Sequence, residues 1–485
     1  MWPRRLIGML MLLAWAAMVR GDYPAGSRIA WLTDLQQGLA QARRLERPLF
    51  VYFHAQWCTW CRSYQSDTLE QPAVAGLINQ RYVPVLVHAD RRRDLFQRYG
   101  GRGLPFTVVL ERSGALRLRF TGQLAPDTLL DVLLRPPQGP VAAQAAVLDP
   151  AAYDAWLEEL YDPASRRFLN ASHYGGTGKR WQPLSLIYLL EQAHWRPRLP
   201  GIYAALLEDL EDPVEGGFYF FADLTREDLA SPLETSKVLS YNALVIWSLL
   251  EGYARLGDER LAQAARRALA WLEQRLWDAR EGGFYAAQAS DAAYHALDAA
   301  GRRRAVRPPL ERVKYADANA QAALVFARAA AVLGEPRYRA RAGQTLDFLE
   351  RHMRAADGGY YHYREAGRNH LPGYLSDALW ALAAHTAYAH GGDKAVSIVR
   401  RLLAHVEGYR DPAGGLWERR PGTTGRPWKS AASQGLYAYL VSQPTAAGWP
   451  SGHWRWAQQA LERRPPASEP DDYALAMIAL RRLGG

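Results

Sequence analysis

A chain of 485 residues with a formal net charge of +10, 49% hydrophobic residues and many Trp and Tyr is long enough for two or three domains and can bury a large core. Its positive charge sits in short arginine clusters such as Arg91 to Arg93 and Arg302 to Arg304, without interleaved aromatics, so no nucleic-acid partner is expected. Only two cysteines occur, Cys58 and Cys61, which excludes a scaffold held together by scattered disulfides.

The first segment, residues 1–21, reads as a signal peptide. Arg4 and Arg5 precede an apolar run from Leu6 to Val19, and Val19 and Gly21 occupy the small-residue positions of a cleavage site. The run is shorter than the ~20 apolar residues of a membrane span, so no stable transmembrane span is expected after cleavage. A secreted or periplasmic protein is the expectation.

Residues 22–135 alternate helical and strand patterns. Leu32, Leu35, Leu39 and Ala42 recur at helical spacing, and Pro48 ends that helix. "LFVYFHA", "VPVLVHAD", "PFTVVLE" and "ALRLRFTG" read as strands, with a helix after the first and another in "APDTLLDVLL". The predicted order is helix, strand, helix, strand, strand, strand, helix. Cys58 follows the first strand at the start of a helix, where unpaired N–H groups and the dipole favour a thiolate. Cys58 is therefore expected as an exposed nucleophile, and Cys61, one turn inside, as the resolving thiol. No second cysteine pair completes a zinc site, and no metal is expected. A structural disulfide would close too small a loop to restrict the unfolded chain much. Redox chemistry remains, with the cysteine pair itself as the redox group and no separate cofactor.

"WCTWC" after a strand, and "GLPFTVVL" opening a later one, resemble the thioredoxin superfamily. That resemblance implies a cis peptide before Pro105, which with Trp57 and Trp60 would shape the groove for a thiol or disulfide protein partner. Two positions depart from the pattern. Tyr52 stands where thioredoxins bury an acid, and Thr59-Trp60 is neither Gly-Pro nor Pro-His, so oxidant and reductant both stay open.

"RPPQGP" opens a linker over residues 136–147. From 148 to 485 apolar stripes at helical spacing dominate, and strand-like runs are nearly absent. "DPVEGGFYF", "DAREGGFYA", "ADGGYYHY" and "DPAGGLWER" place an acid, two glycines and an aromatic after successive helices. "LETSKVLSYNA" and "LERVKYADANA" share L-E-x-x-K-x-x-x-x-N-A, and Lys429 begins a partial third copy. The intervals between Gly216, Gly282, Gly358 and Gly414 are irregular, unlike a solenoid. About six helical hairpins fit, closing into a ring with the equivalent loops at one rim.

The two halves together resemble the YyaL-type and spermatogenesis-associated thioredoxin-like proteins, through the Trp60-Cys61 end of the redox motif, "GLPFTVVL", "GGFYAAQASD" and "LPGYLSDALWAL". The resemblance implies an α/β thioredoxin-like domain followed by an all-α six-hairpin (α/α)6 toroid, as in certain glycosidases and sugar epimerases. Where that family usually has His-Phe-Glu-Lys, this chain has "ETSK". The expected rim residues are Glu234, Lys237, Asn242, Glu311, Lys314, Asp317, Asn319, Asp377 and Lys429. Carboxylates beside aromatics suit a carbohydrate ligand; equally, the paired charges and asparagines can serve the loops they sit in. Three readings follow: an exported thiol–disulfide oxidoreductase whose barrel binds or positions the substrate, a carbohydrate-active barrel with an accessory thioredoxin domain, and a non-catalytic scaffold.

Overall fold

The computed structural model describes residues 26–101, 103–135, 149–168, 170–171, 177–178, 182–222, 233–388, 393–419, 428–444, 449–450, 452–462 and 470–483. The expected signal segment 1–21 and linker 136–147 lie outside them. The chain divides into two compact units, Met1–Ala142 and Ala143–Gly485.

The first unit contains α1 (Leu35–Leu45), β1 (Leu49–His54), α2 (Thr59–Tyr64), α3 (Pro72–Arg81), β2 (Val83–His88), α4 (Arg93–Arg98), β3 (Phe106–Leu110), β4 (Leu116–Thr121) and α5 (Pro126–Leu134). Its sheet runs β2-β1-β3-β4, with β1 parallel to β2 and β3 antiparallel to both β1 and β4. Every residue of β1 and β2 is buried, so these strands read as apolar runs rather than as alternation. Val51, Phe53, Val85 and Val108 pack with Leu35 and Leu39 of α1 on one face. Phe50, Tyr52, Leu86 and Val109 pack with Ile78 of α3 and Leu129 of α5 on the other. The predicted order omits α4, because its apolar Leu95 and Phe96 are flanked by arginines that hide the period.

The second unit is a ring of helical hairpins. Its main helices are α6 (Pro150–Leu160), α7 (Pro183–Leu189), α8 (Leu199–Leu210), α9 (Leu239–Leu256), α10 (Glu259–Trp271), α11 (Ala316–Leu333), α12 (Pro336–Phe348), α13 (Leu375–Tyr388), α14 (Asp393–Glu407), α15 (Ala431–Val441), α16 (Gly452–Glu462) and α17 (Pro470–Leu483). The odd-numbered six form an inner layer in which α7 packs on α9, α9 on α11, α11 on α13, α13 on α15, α15 on α17, and α17 on α7. Composition explains the layering. Inner α11 is buried nearly all round, whereas outer α10 buries Leu261, Ala265 and Leu269 and turns arginines outward. The ring closes at Asp471, whose carboxylate accepts the N–H groups of Leu184 and Ser185 at 3.2 and 2.8 Å, and Tyr153 donates its hydroxyl to the Pro470 carbonyl at 3.0 Å.

This unit also carries small β patches that the helical pattern does not predict. Lys237–Val238 pairs with Ala287–Gln288, which pairs with Leu310–Glu311, so each approach to an inner helix is laced to the next turn. Lys314–Tyr315 likewise joins Tyr361–Glu365, itself in a hairpin with Arg368–Pro372. These pairings are two to five residues long and, apart from the hairpin of residues 361–372, join segments far apart in the chain, too short to leave a strand pattern.

Candidate functional site

β1 ends inside the sheet and delivers Cys58 to the cap position of α2, where its Sγ accepts the Cys61 N–H at 3.1 Å. The two sulfurs are joined as a disulfide. The Leu104–Pro105 peptide is cis. The loop carrying the pair is held by its neighbours. Trp57 Nε1 donates to Asp90 Oδ2 at 2.8 Å, Gln123 Nε2 to the Trp60 carbonyl at 2.8 Å, and Arg62 to the Gln56 carbonyl and Thr59 Oγ1, each at 3.0 Å. Asp90 and Gln123, distant in sequence, carry no motif that marks them.

Tyr52 occupies the buried place beneath the pair and donates its hydroxyl to the Cys61 carbonyl at 3.0 Å. It therefore fixes the backbone at Cys61, a service different from taking a proton from its side chain. His54 stacks on Tyr52 with centroids 6.0 Å apart and meets His88 at 5.4 Å. Burial, with His88 and Arg91 close by, holds the His54 imidazole well below its ordinary value, so it is neutral at neutral pH.

One expectation is corrected. Cys58 is 1% exposed and Cys61 3%, so the nucleophile is covered in the disulfide form. A sulfur that caps a helix and bonds to a second sulfur one turn inside turns inward, toward the N–H it accepts.

In the toroid, most of the expected rim residues are engaged in holding turns. Lys237 Nζ reaches Asp212 Oδ2 at 2.5 Å and the Gly216 carbonyl at 2.7 Å. Lys314 Nζ reaches Asp278, Glu281 and the Gly282 carbonyl at 2.7 to 2.8 Å. Lys429 meets Asp411 and the Gly414 carbonyl. Four residues into the inner helix, Asn242 brackets both backbone groups of Phe218, Asn319 does so for Phe284, and Gln434 for Leu416. The glycines fit this clamp: Gly217 and Gly283 have positive φ, and a Cβ there would lie 2.8 Å from Trp271 or 2.6 Å from Phe348. Burial pulls the Lys237 ammonium down to about 8. Burial alone would raise the Asp212 carboxyl, but His295, Lys237 and Arg302 hold it well below the carboxylate range.

Glu234 and Glu311 are buried at the short strand pairings, opposite Phe221 and Ala287 respectively. Asp317 and Asp377 behave differently from the rest: both are buried and come together with His362, with one donor atom from each within 4.8 Å of the others. His362 Nδ1 lies 3.0 and 3.1 Å from the two Asp377 oxygens. Sequence reading passes over His362, although comparing the fifth residues of the four Gly-Gly turns would have exposed it as unlike Phe220 and Ala286.

The thioredoxin-like family matches residues 30–111. The thiol:disulfide interchange protein DsbD of Vibrio vulnificus strain CMCP6 is 36% identical over 116 residues, covering 22% of this chain and 19% of that protein. The chain thus spans about a fifth of that relative's length. The cellobiose 2-epimerase of Spirochaeta thermophila superposes with a TM-score of 0.52 at 15% identity, over 69% of this chain and 96% of that one. A D-mannose isomerase superposes with a TM-score of 0.51 at 12% identity, over 70% and 99%. At such identities the likeness is one of fold: a thioredoxin-like domain followed by a mostly helical domain resembling the (α/α)6 toroid of sugar epimerases.

Proposed function

We propose that this protein is an exported thiol–disulfide oxidoreductase, of the YyaL-type lineage, whose toroid binds or positions the substrate. The observation that carries the reading is the Cys58–Cys61 disulfide at the cap of the helix after the central strand. Similarity to a thiol:disulfide interchange protein over this part of the chain supports it. In the reducing direction, the Cys58 thiolate attacks one sulfur of a partner disulfide. The partner's other sulfur leaves as a thiolate and takes a proton. The Cys61 thiolate then attacks Cys58 Sγ, forming the internal disulfide and releasing the second partner thiol, so two electrons pass to the partner. The oxidising direction reverses these steps. Tyr52 supplies no carboxylate for Cys61, so the proton from Cys61 passes to water or to the partner.

The test is a Cys61→Ser variant in the exported compartment, where the mixed disulfide on Cys58 cannot be resolved. A small reproducible set of trapped proteins, absent from Cys58→Ser/Cys61→Ser, is expected. An empty trap with folded protein and an alkylatable Cys58 would overturn the reading. The second reading, a carbohydrate ligand for the toroid, is favoured by the buried Asp317, His362 and Asp377 group and by the sugar-converting enzymes that share the fold. A glycan-binding screen that fails in Asp317→Asn, and is untouched by loss of both cysteines, would establish it.

A further inference from the structure

The four Gly-Gly turns of the toroid, each with the inner helix that follows, form four sectors that can be compared position by position. Two positions correspond in each: the fifth residue of the turn, counted from its first glycine, and the third residue of the inner helix. In the first sector they are Phe220 and Tyr241, whose ring centroids lie 5.4 Å apart. In the second they are Ala286 and Ala318, and in the fourth Glu418 and Ser433, joined by a hydrogen bond at 2.6 Å. The third sector has His362 and Asp377 there, and Asp317, the second residue of α11, comes in beside them.

The same sector also lacks the clamp. Gly373 and Ala378 stand where the others have lysine and asparagine or glutamine, and the Gly358 carbonyl is held instead by Arg401 from outer helix α14, at 2.6 Å. The ionisable group here is therefore not a copy of the structural device that recurs around the ring. It is rigidly mounted. His362 lies in a strand paired on both sides, its ring stacks on Tyr374 at 4.5 Å, and Tyr315 stands 5.5 Å away. One turn along α11 from Asp317, on the same helix face, Gln321 is 2% exposed and its Oε1 has no hydrogen-bond partner among the described residues.

We propose that Asp317, His362 and Asp377 form a binding site for a divalent transition-metal ion. One imidazole nitrogen with two carboxylates is a donor set that zinc and manganese accept. Three donor atoms within 4.8 Å of one another lie at most about 2.8 Å from a common centre, so each reaches an ion at roughly 2.0–2.2 Å by moving at most about 0.6–0.8 Å. A buried Gln321 oxygen without a protein partner among the described residues, on the helix face that carries Asp317, is the kind of outer group that accepts a hydrogen bond from water on a metal ion. The three ligands come from two inner helices and a turn, so the ion would tie neighbouring sectors together where the clamp is missing. The site lies wholly in the toroid and does not depend on the thiol chemistry.

The experiment uses the full chain with its cysteine pair oxidised, stripped with EDTA and dialysed against Mn2+ or Zn2+ in turn. One ion per chain is expected by elemental analysis, and the Mn2+ form should show pulsed-EPR modulation from a single imidazole nitrogen. His362→Leu should abolish that modulation, and Asp317→Asn and Asp377→Asn should weaken binding by at least the ~10–100-fold seen for losing even an outer partner. Glu418→Gln, in the next sector, should bind normally, as should Cys58→Ser/Cys61→Ser, which removes both thiols of the chain. Circular dichroism identifies which ligand variants fold, and Asp317→Asn, at a helix's second residue, stands in if His362→Leu does not. A folded wild-type chain that retains no stoichiometric ion overturns the proposal, as does binding that survives all three ligand changes or disappears with the cysteines.

Discussion

Around Asp212 and around Ala355 the toroid builds corresponding Gly-Gly turns for two different ends. In the first, Lys237 and Arg302 close on a fully buried Asp212 at 2.5 and 2.6 Å, Asn242 brackets Phe218, and the facing pair is aromatic. In the second, the lysine and asparagine are gone, Arg401 takes over the glycine carbonyl, and the facing pair is an imidazole and a carboxylate. Residues that recur from sector to sector hold the ring, and residues that interrupt the recurrence are free of that duty. Motif repetition in this unit therefore marks scaffolding, and the sector that lacks the clamp is where the proposed ion site lies.

The contrast can be broken at its strongest point first. Lys237→Met should destabilise the chain by about 3–5 kcal/mol, toward the lower end because Arg302 still faces the buried Asp212 charge. Chemical denaturation measures it. Asn319→Ala leaves the Phe284 and Tyr315 backbone groups without their buried partner and should cost about 2–3 kcal/mol. Replacing the third sector's pair by neutral groups of similar size, His362→Gln with Asp377→Asn, should change stability by no more than about 1.5 kcal/mol, because volume and hydrogen-bonding capacity are kept. A cost as large as that of Lys237→Met would show that the group is structural and erase the distinction between the sectors.

The smallest effect concerns pH. His54 is kept neutral by burial, its folded value lying below the unfolded value of about 6.5. The unfolded chain takes the proton first, so stability is complete above about pH 6.5 and declines as pH falls below it. Burial also lowers His295 and His453 in the toroid, so the test is a difference: thermal melts of His54→Leu between pH 7.5 and 5.5 should fall less than those of the parent.

The two units were unequally readable. The cysteine pair, its strand and its helix are contiguous, so Cys58 and Cys61 could be placed by local pattern, and Pro105 by resemblance. The covering of Cys58 could not, because burial depends on side chains that reach it through the fold. In the toroid the apolar runs foretold the helices, and the shared Lys and Asn positions were visible as a motif. Their duty was not, because Lys237 meets Asp212 and Lys314 meets Asp278 across intervals that no helical or strand period connects. His362 escaped for the same reason: it joins Asp317 and Asp377 only once α11 and α13 lie side by side.

The closure of the ring through Asp471 and Ser185 bears on the order in which the chain takes shape during synthesis. The sheet of the first unit is assembled from neighbouring segments, so it can form before the later residues have emerged. The inner layer of the toroid is complete only when α17 meets α7, nearly three hundred residues earlier, and until then the apolar flanks of α7 and α15 are open to solvent. A finished thioredoxin-like domain would thus wait, attached to an unfinished ring that is the more exposed to chaperones and proteases.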